Sequence, residues 1–332
     1  MKKYTQKKKR NQLLQKYISK FVSENSYDLI KNCGSFLMMK ADVTKENMKV
    51  HKAAFCKNRF CPMCAWRKAN RDALAISVMM EYIVDKEEKD FLFLTLTAPT
   101  VPEDQLEDEI KKFNASFKKM FERKELKSIV KGYIRKLEVT YDGDGFITKD
   151  MYKKRSAYYD KRGLKFGDDN PNFNKYHPHF HVLIAVDKSY FTNNRVYLSR
   201  DRWLELWQES TGDYSITQVD IRKFKKHVKD SEVYEIAKYS AKDNDYLQSE
   251  EVFDVFYKAL KGKRVLVYSG LFKDANKKFK NGELKEYMKE DKTEYVYLIL
   301  YTWGEKKYIQ REIQEISADY FQQELIEEIE TE

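Results

Sequence analysis

Apolar residues along this chain follow two rhythms. Spacing of three and four predicts helices over 11–24 (NQLLQKYISKFVSE), 66–85 and 104–130, with Ala73, Leu74, Ile76, Val78, Met79 and Ile83 favouring one side of the second. Short continuous or alternating apolar runs predict strands over 91–97 (FLFLTLT), 133–141 (YIRKLEVTY) and 177–186 (HPHFHVLIAV). Pro99 and Pro102 end the first strand, and 142–145 is turn chemistry after the second. About thirty polar residues with Gly163, Gly167 and Pro171 then form a connection long enough to be functional or disordered.

Further along, helical spacing recurs over 199–209, which carries Trp203 and Trp207, and over 231–246 and 252–260. Strand patterns recur at 216–221, 264–268 and 294–303. Residues 32–64 read as short strands and loops and hold every cysteine. The order strand, helix, strand, strand, helix, strand, helix suggests an α+β sandwich without internal repeats. We divide the chain into a basic N-terminal region with a cysteine segment at 1–86, a catalytic domain at 87–250 and a C-terminal region with an acidic tail at 251–332.

Composition adds a partner to this outline. The 332 residues are 42% apolar, enough to fold, and 63 Lys and Arg against 53 Asp and Glu leave +10, which favours a polyanion such as nucleic acid. The charge is uneven: residues 1–20 hold eight bases and no acid, residues 312–332 eight acids and no base. The 24 Tyr and 20 Phe suit a core, and interleaved with Lys they suit stacking on unpaired bases. No apolar run approaches a membrane span, and MKKYTQKKKR lacks the apolar stretch of a signal peptide, so a cytoplasmic protein without membrane contact is expected.

In a reducing compartment four cysteines point to metal or chemistry rather than disulfides. Cys33, Cys56, Cys61 and Cys64, the last three in CKNRFCPMC, can complete a closed structural Zn²⁺ site, with His51 able to replace one ligand. Lys57, Arg59, Arg67, Lys68 and Arg71 surround the segment and suit DNA contact.

Three of the five histidines fall in one five-residue strand segment. His177, His179 and His181 project from one face, with Pro178, Phe180 and Val182 on the other. Two imidazoles at that spacing can bind one divalent cation. The third ligand should come from a neighbouring strand, with Glu138 the best candidate; His177 is the rival, and Glu138 could instead pair with Arg135 or a nearby Lys. In the helix over 231–246, Glu235, Tyr239 and Lys242 share a face bordered by Lys238. A phenol is a poor nucleophile unless cations favour its phenolate, so a metal, a phenol, a carboxylate and lysines together suit phosphoryl transfer.

These motifs, in this order, resemble the replication initiator (Rep) proteins of small rolling-circle plasmids of Gram-positive bacteria, within the HUH endonuclease superfamily. FLTLTAPTV at 93–101, HPHFHVLI at 177–184 and YEIAKYSAKDNDY at 234–246 resemble that family's three motifs, and CKNRFCPMCAWR at 56–67 its cysteine segment. The resemblance runs from about residue 30 to 305. It implies a central antiparallel sheet with helices mainly on one face, Tyr239 as nucleophile, Glu235 as activator of water at termination, and His179 and His181 as ligands of Mg²⁺ or Mn²⁺.

The implied activity is origin-specific nicking of plasmid DNA at a single-stranded or hairpin site, leaving a 5′-phosphotyrosine and a free 3′-OH. The implied partners are a host helicase, since the chain has no G-x4-G-K-[ST] loop, and a DNA polymerase. A homo-oligomer is compatible with the sequence. A mobilisation relaxase or single-strand transposase would share the chemistry, but the cysteine segment and the Glu–Tyr spacing argue against both. A metal-dependent hydrolase would need more ligands than His51 and His227 supply, and a zinc-binding regulator would leave the histidine strand unexplained.

Overall fold

In the computed structural model, residues 1–224, 233, 236, 237 and 242–316 are described. The fold is α+β, with two antiparallel sheets. Contacts divide the chain into a smaller unit, residues 1–67 with the chain from Lys289, and a larger unit, Lys68–Met288. These seams differ from the boundaries at 86 and 250 drawn from the sequence. The reason is long-range strand pairing: a C-terminal hairpin joins the N-terminal sheet, and residues 251–288 contribute a strand and helices to the central one.

The smaller unit holds α1 (Lys2–Ile18), α2 (Glu24–Asn32), β1 (Phe36–Ala41), β2 (Met48–Ala53), β8 (Tyr297–Gly304) and β9 (Lys307–Glu315). Its strand order is β2-β1-β8-β9, with Met39 opposite Ile299 in the central pair. Helix α1 begins nine residues before the apolar pattern at 11–24, because Lys-rich sequence has ample helix propensity without an apolar stripe. Helix α3 (Pro62–Lys86) has its first six residues in this unit and the remainder in the larger one.

In the larger unit β3 (Lys89–Thr97), β4 (Gly132–Asp142), β5 (Lys175–Asp187), β6 (Asp220–Lys223) and β7 (Leu266–Gly270) form a sheet in the order β6-β3-β5-β4-β7. Its helices are α4 (Leu106–Phe121), α5 (Lys124–Ile129), α6 (Lys149–Lys154), α7 (Ser156–Asp160), α8 (Arg200–Thr211), α9 (Asp243–Tyr246), α10 (Glu250–Leu260) and α11 (Leu271–Lys280). Both ends of α8 follow from sequence: the Ser199 hydroxyl accepts from the Arg202 amide, and Gly212 takes the left-handed conformation that stops the helix.

Each central strand alternates between two faces. One face carries Leu94, Leu96, Phe180 and Val182, paired across β3 and β5. Phe180 stacks on Phe113 of α4 at 4.3 Å, and Phe113 meets Trp207 of α8 edge-on. Tyr176 meets Phe256 of α10, so helices line this face along its length. The opposite face carries Phe91, Phe93, Ile134, Leu183 and Ala185, buried against Ala73, Ile76, Met79 and Ile83 of α3 and Phe272 of α11. Val233, Ile236 and Ala237, helical and buried, join that cluster at the i, i+3, i+4 spacing of one helix face. Beyond Phe93 and Leu183 this face turns polar, and there it carries the histidines. Among the described residues, no helix is long and apolar enough to cross a membrane.

Candidate active site

Strand register brings the polar residues together. Glu138 of β4 lies opposite His179 of β5, which on its other side pairs with Thr97 of β3. His181 lies between Lys136 and Thr95 in the same way. Alternation therefore puts Glu138, His179 and His181 on one face, and Phe180 between the histidines turns into the core.

The side chains converge. Glu138 Oε2 is 3.3 Å from His179 Nε2 and 3.1 Å from His181 Nε2. One ligand atom from each residue fits within a 4.8 Å cluster. Glu138 is only 2% exposed. Burial opposes its ionisation, but hydrogen bonds from both imidazoles outweigh that and hold the carboxyl well below the usual carboxylate range.

The other ring nitrogens indicate what the cluster can hold. His179 Nδ1 lies 3.3 Å from the His177 carbonyl, a contact that orients the ring. The Nε2 atoms of both rings face the Glu138 carboxylate, where they donate in the metal-free protein and where a shared cation would take the protons' place. His181 Nδ1 lies 3.3 Å from the Thr95 hydroxyl, which orients that ring. Two imidazole nitrogens and one carboxylate oxygen suit a divalent cation with open positions for substrate.

His177, weighed as the rival third ligand, is on the same face, but its ring packs 5.5 Å from that of His179 and it is not part of the three-residue cluster. Burial, then His179 and Arg155, push its pKa down to about 4, so it is neutral. Arg135 does not pair with Glu138. It points to the opposite face, its guanidinium 4.4 Å from the Phe180 ring and 4.8 Å from that of Phe117.

Of the expected tyrosine face, Tyr239, Glu235 and Lys238 lie outside the described residues. Lys242 is described, with Nζ 3.9 Å from Glu138 Oε1 and 54% of its side chain exposed. Two contacts were not read from the sequence. Buried Lys136 donates to the Ile236 carbonyl at 3.4 Å, joining the strand beside His181 to the segment that leads into Tyr239. Asp245 of α9 is pushed up to about 6, by burial first, then Glu138 and Asp243, despite Lys242. The local sequence, with Lys136 between Arg135 and Leu137, signalled neither.

The four cysteines form a separate cluster in the smaller unit. Cys33 Sγ is 3.5 Å from Cys64 Sγ and 3.5 Å from Cys61 Sγ, and Cys56 Sγ is 3.6 Å from Cys64 Sγ. Four thiolates about 2.3 Å from a zinc ion would stand about 3.8 Å apart at tetrahedral edges, so the cluster fits Zn²⁺. Asn11 Nδ2 donates to Cys61 Sγ at 3.4 Å, and buried Lys8 donates to the Cys33 carbonyl at 2.6 Å, so α1 is tied to the cluster. His51, considered as a substitute ligand, lies on β2 outside it.

Known proteins match this chain over most of its length. Residues 47–309 match the family described as replication protein. A Protein rep of Staphylococcus aureus is 51% identical over 247 residues, covering 74% of this chain and 95% of that protein. A Protein rep of Bacillus amyloliquefaciens is 31% identical over 278 residues, covering 76% of this chain and 73% of that protein. No solved structure matches the chain.

Proposed function

The chain belongs to the replication protein family, and we propose that within it this protein initiates rolling-circle plasmid replication by nicking one strand of its origin. The observation that carries the reading is the convergence of Glu138, His179 and His181 on one point of a sheet face in a member of that family. These three residues would hold Mg²⁺ or Mn²⁺. A bound cation of this kind supplies Lewis-acid polarisation of the scissile phosphate.

The chain's own residues perform the transfer. The Tyr239 oxygen gives up its proton and attacks phosphorus, the P–O3′ bond breaks, the leaving 3′-oxygen takes up a proton, and a 5′-phosphotyrosine and a free 3′-OH result. The ester conserves the phosphodiester's energy, and the 3′-OH primes a host polymerase behind a host helicase. Since a phenol ordinarily titrates near 10, Lys238 and Lys242 favour the phenolate. Glu235, one helical turn from Tyr239 in sequence, takes a proton from water when the regenerated origin is cut, which ends the cycle without a second tyrosine.

Support for Tyr239 comes from its neighbours along the chain. Ile236 and Lys242, three residues to either side, contact Lys136 and Glu138 respectively, both on the polar sheet face. The four-cysteine cluster would hold a structural Zn²⁺, and the whole cycle belongs in the cytoplasm. The test is a nicking assay on a supercoiled plasmid carrying its own origin. Relaxation that needs Mg²⁺ or Mn²⁺ and disappears with EDTA is expected. No nicking of origin plasmid under any divalent cation would overturn the reading.

A further inference from the structure

The connection between β4 and β5 is not a structureless loop. It leaves β4 at Asp142, four residues or about 14 Å of strand past Glu138, and returns at Lys175, four residues before His179. Asn174 donates its amide to the Asp142 carbonyl at 2.8 Å, Asn170 Nδ2 reaches Asp142 Oδ1 at 2.9 Å, and Phe146 bridges Asp169. Ile147 and Tyr159 are fully buried, and Tyr159 stacks on Tyr152 and meets Tyr158 edge-on within the insertion.

Its outer surface has a different character. The phenylalanines that stand exposed among the described residues are Phe146, Phe166 and Phe173, at 64%, 54% and 51%, and all three are in this insertion. Seven Lys and Arg between residues 143 and 174 are also exposed, against five Asp. Lys149 Nζ stands 5.5 Å from the Phe166 ring centre.

Exposed rings among exposed cations suit one ligand best. Protein interfaces are depleted in lysine, which argues against a protein partner. Duplex DNA hides its base faces. Unpaired DNA offers both π-faces and phosphates, and its binding sites combine aromatic platforms with a basic track. We infer that the β4–β5 insertion is a base-stacking platform on which Phe146, Phe166 and Phe173 hold the unpaired strand running into the Glu138–His179–His181 site. This rests on the nicking role above. The insertion is thereby a positioning element for the substrate, separate from the reacting groups.

The test uses the full-length protein and a fluorescein-labelled oligothymidylate, read by anisotropy over a salt series. Replacing the three phenylalanines together with alanine should weaken binding at least about tenfold, given the usual worth of base stacking. The slope of log affinity against log salt should stay the same, because no charge is removed. Lys149→Gln with Lys153→Gln and Lys154→Gln should instead flatten that slope, and Phe→Trp at the three positions should restore affinity.

All three rings are exposed, so an unchanged melting temperature is expected and separates loss of binding from loss of fold. In origin nicking the alanine variant should raise KM with kcat largely kept. Unchanged oligothymidylate affinity in the alanine variant, with wild type still nicking, would overturn the platform alone. Lost affinity in the variant, with no nicking by wild type, would uphold the platform and overturn the nicking role.

Discussion

Glu138→Gln is the perturbation whose size follows most directly from the geometry. The amide is isosteric with the carboxyl, so a side chain 2% exposed keeps its packing. In the metal-free protein the hydrogen bonds to the carboxylate outweigh its burial, so losing the charge destabilises the fold. The carboxylate accepts two imidazole hydrogen bonds, each worth about 1.5–3 kcal/mol when charged, but its burial costs several kcal/mol. Metal-free melting temperature should therefore fall at neutral pH. Cation binding should not be spared. Loss of an outer partner to a metal ligand already costs about 10–100-fold in affinity, and loss of the ligand itself should exceed that.

The difference is readable as a thermal shift. Mn²⁺ at about a hundred times its dissociation constant stabilises wild type by about 2.7 kcal/mol. For a unit the size of Lys68–Met288, at about 2–4 °C per kcal/mol, that is a rise of about 5–11 °C. The Gln variant at the same Mn²⁺ concentration should rise by less than about 1 °C, the expectation for a site weakened well over a hundredfold. An equal rise in both proteins would show that Mn²⁺ binds without Glu138 and would refute the three-residue site.

Purified protein should carry about one tightly held zinc per chain by metal analysis, and His179→Ala with His181→Ala should leave that content unchanged; a fall in zinc would merge the two metal sites. Asp245, raised from 3.8 to about 6 in the folded protein, binds its proton more tightly folded than unfolded, so its contribution falls as pH rises from about 4 through 6. Asp245→Asn should thus raise metal-free stability at pH 7 and above by up to about 3 kcal/mol, and an unchanged stability–pH profile would contradict this. Glu235→Gln should nick and start synthesis yet fail to stop cleanly, accumulating over-length single strands on gels. Unit-length circles from that variant would mean Glu235 only forms a surface ion pair worth under about 1 kcal/mol.

Much of the site was legible because its chemistry is local to strands. The alternation in HPHFHVLI places His179 and His181 on one face, and KLEVT supplies a carboxylate between Leu137 and Val139. What alternation could not settle was register. Glu138 faces His179 only because β4 pairs with β5 in that alignment, whereas His177 was equally in phase.

The fold was legible in its helices and central strands and less so where partners are distant in sequence. Strand β9 was missed because KYIQREIQE is almost wholly exposed and has no clear apolar alternation. The pairing of β8 with β1 joins residues far apart in the chain, which no window of sequence reveals. Helices α6 and α7 were missed because they are one to two turns long, below the length at which periodicity speaks. Tyr239 rests on its motif and on the contacts of Ile236 and Lys242.

The most direct measurement of the central claim is the chemical identity of the protein–DNA bond. Wild-type protein would be incubated with Mn²⁺ and an origin oligonucleotide labelled on either side of the nick, and the covalent adduct digested and sequenced by mass spectrometry. The account predicts one adduct, a 5′-phosphate on the peptide containing Tyr239, absent from Tyr239→Phe, which should still bind the oligonucleotide. An adduct on Tyr234 or Tyr246, attachment through a 3′-phosphate, or cleavage by Tyr239→Phe at the wild-type rate would contradict it.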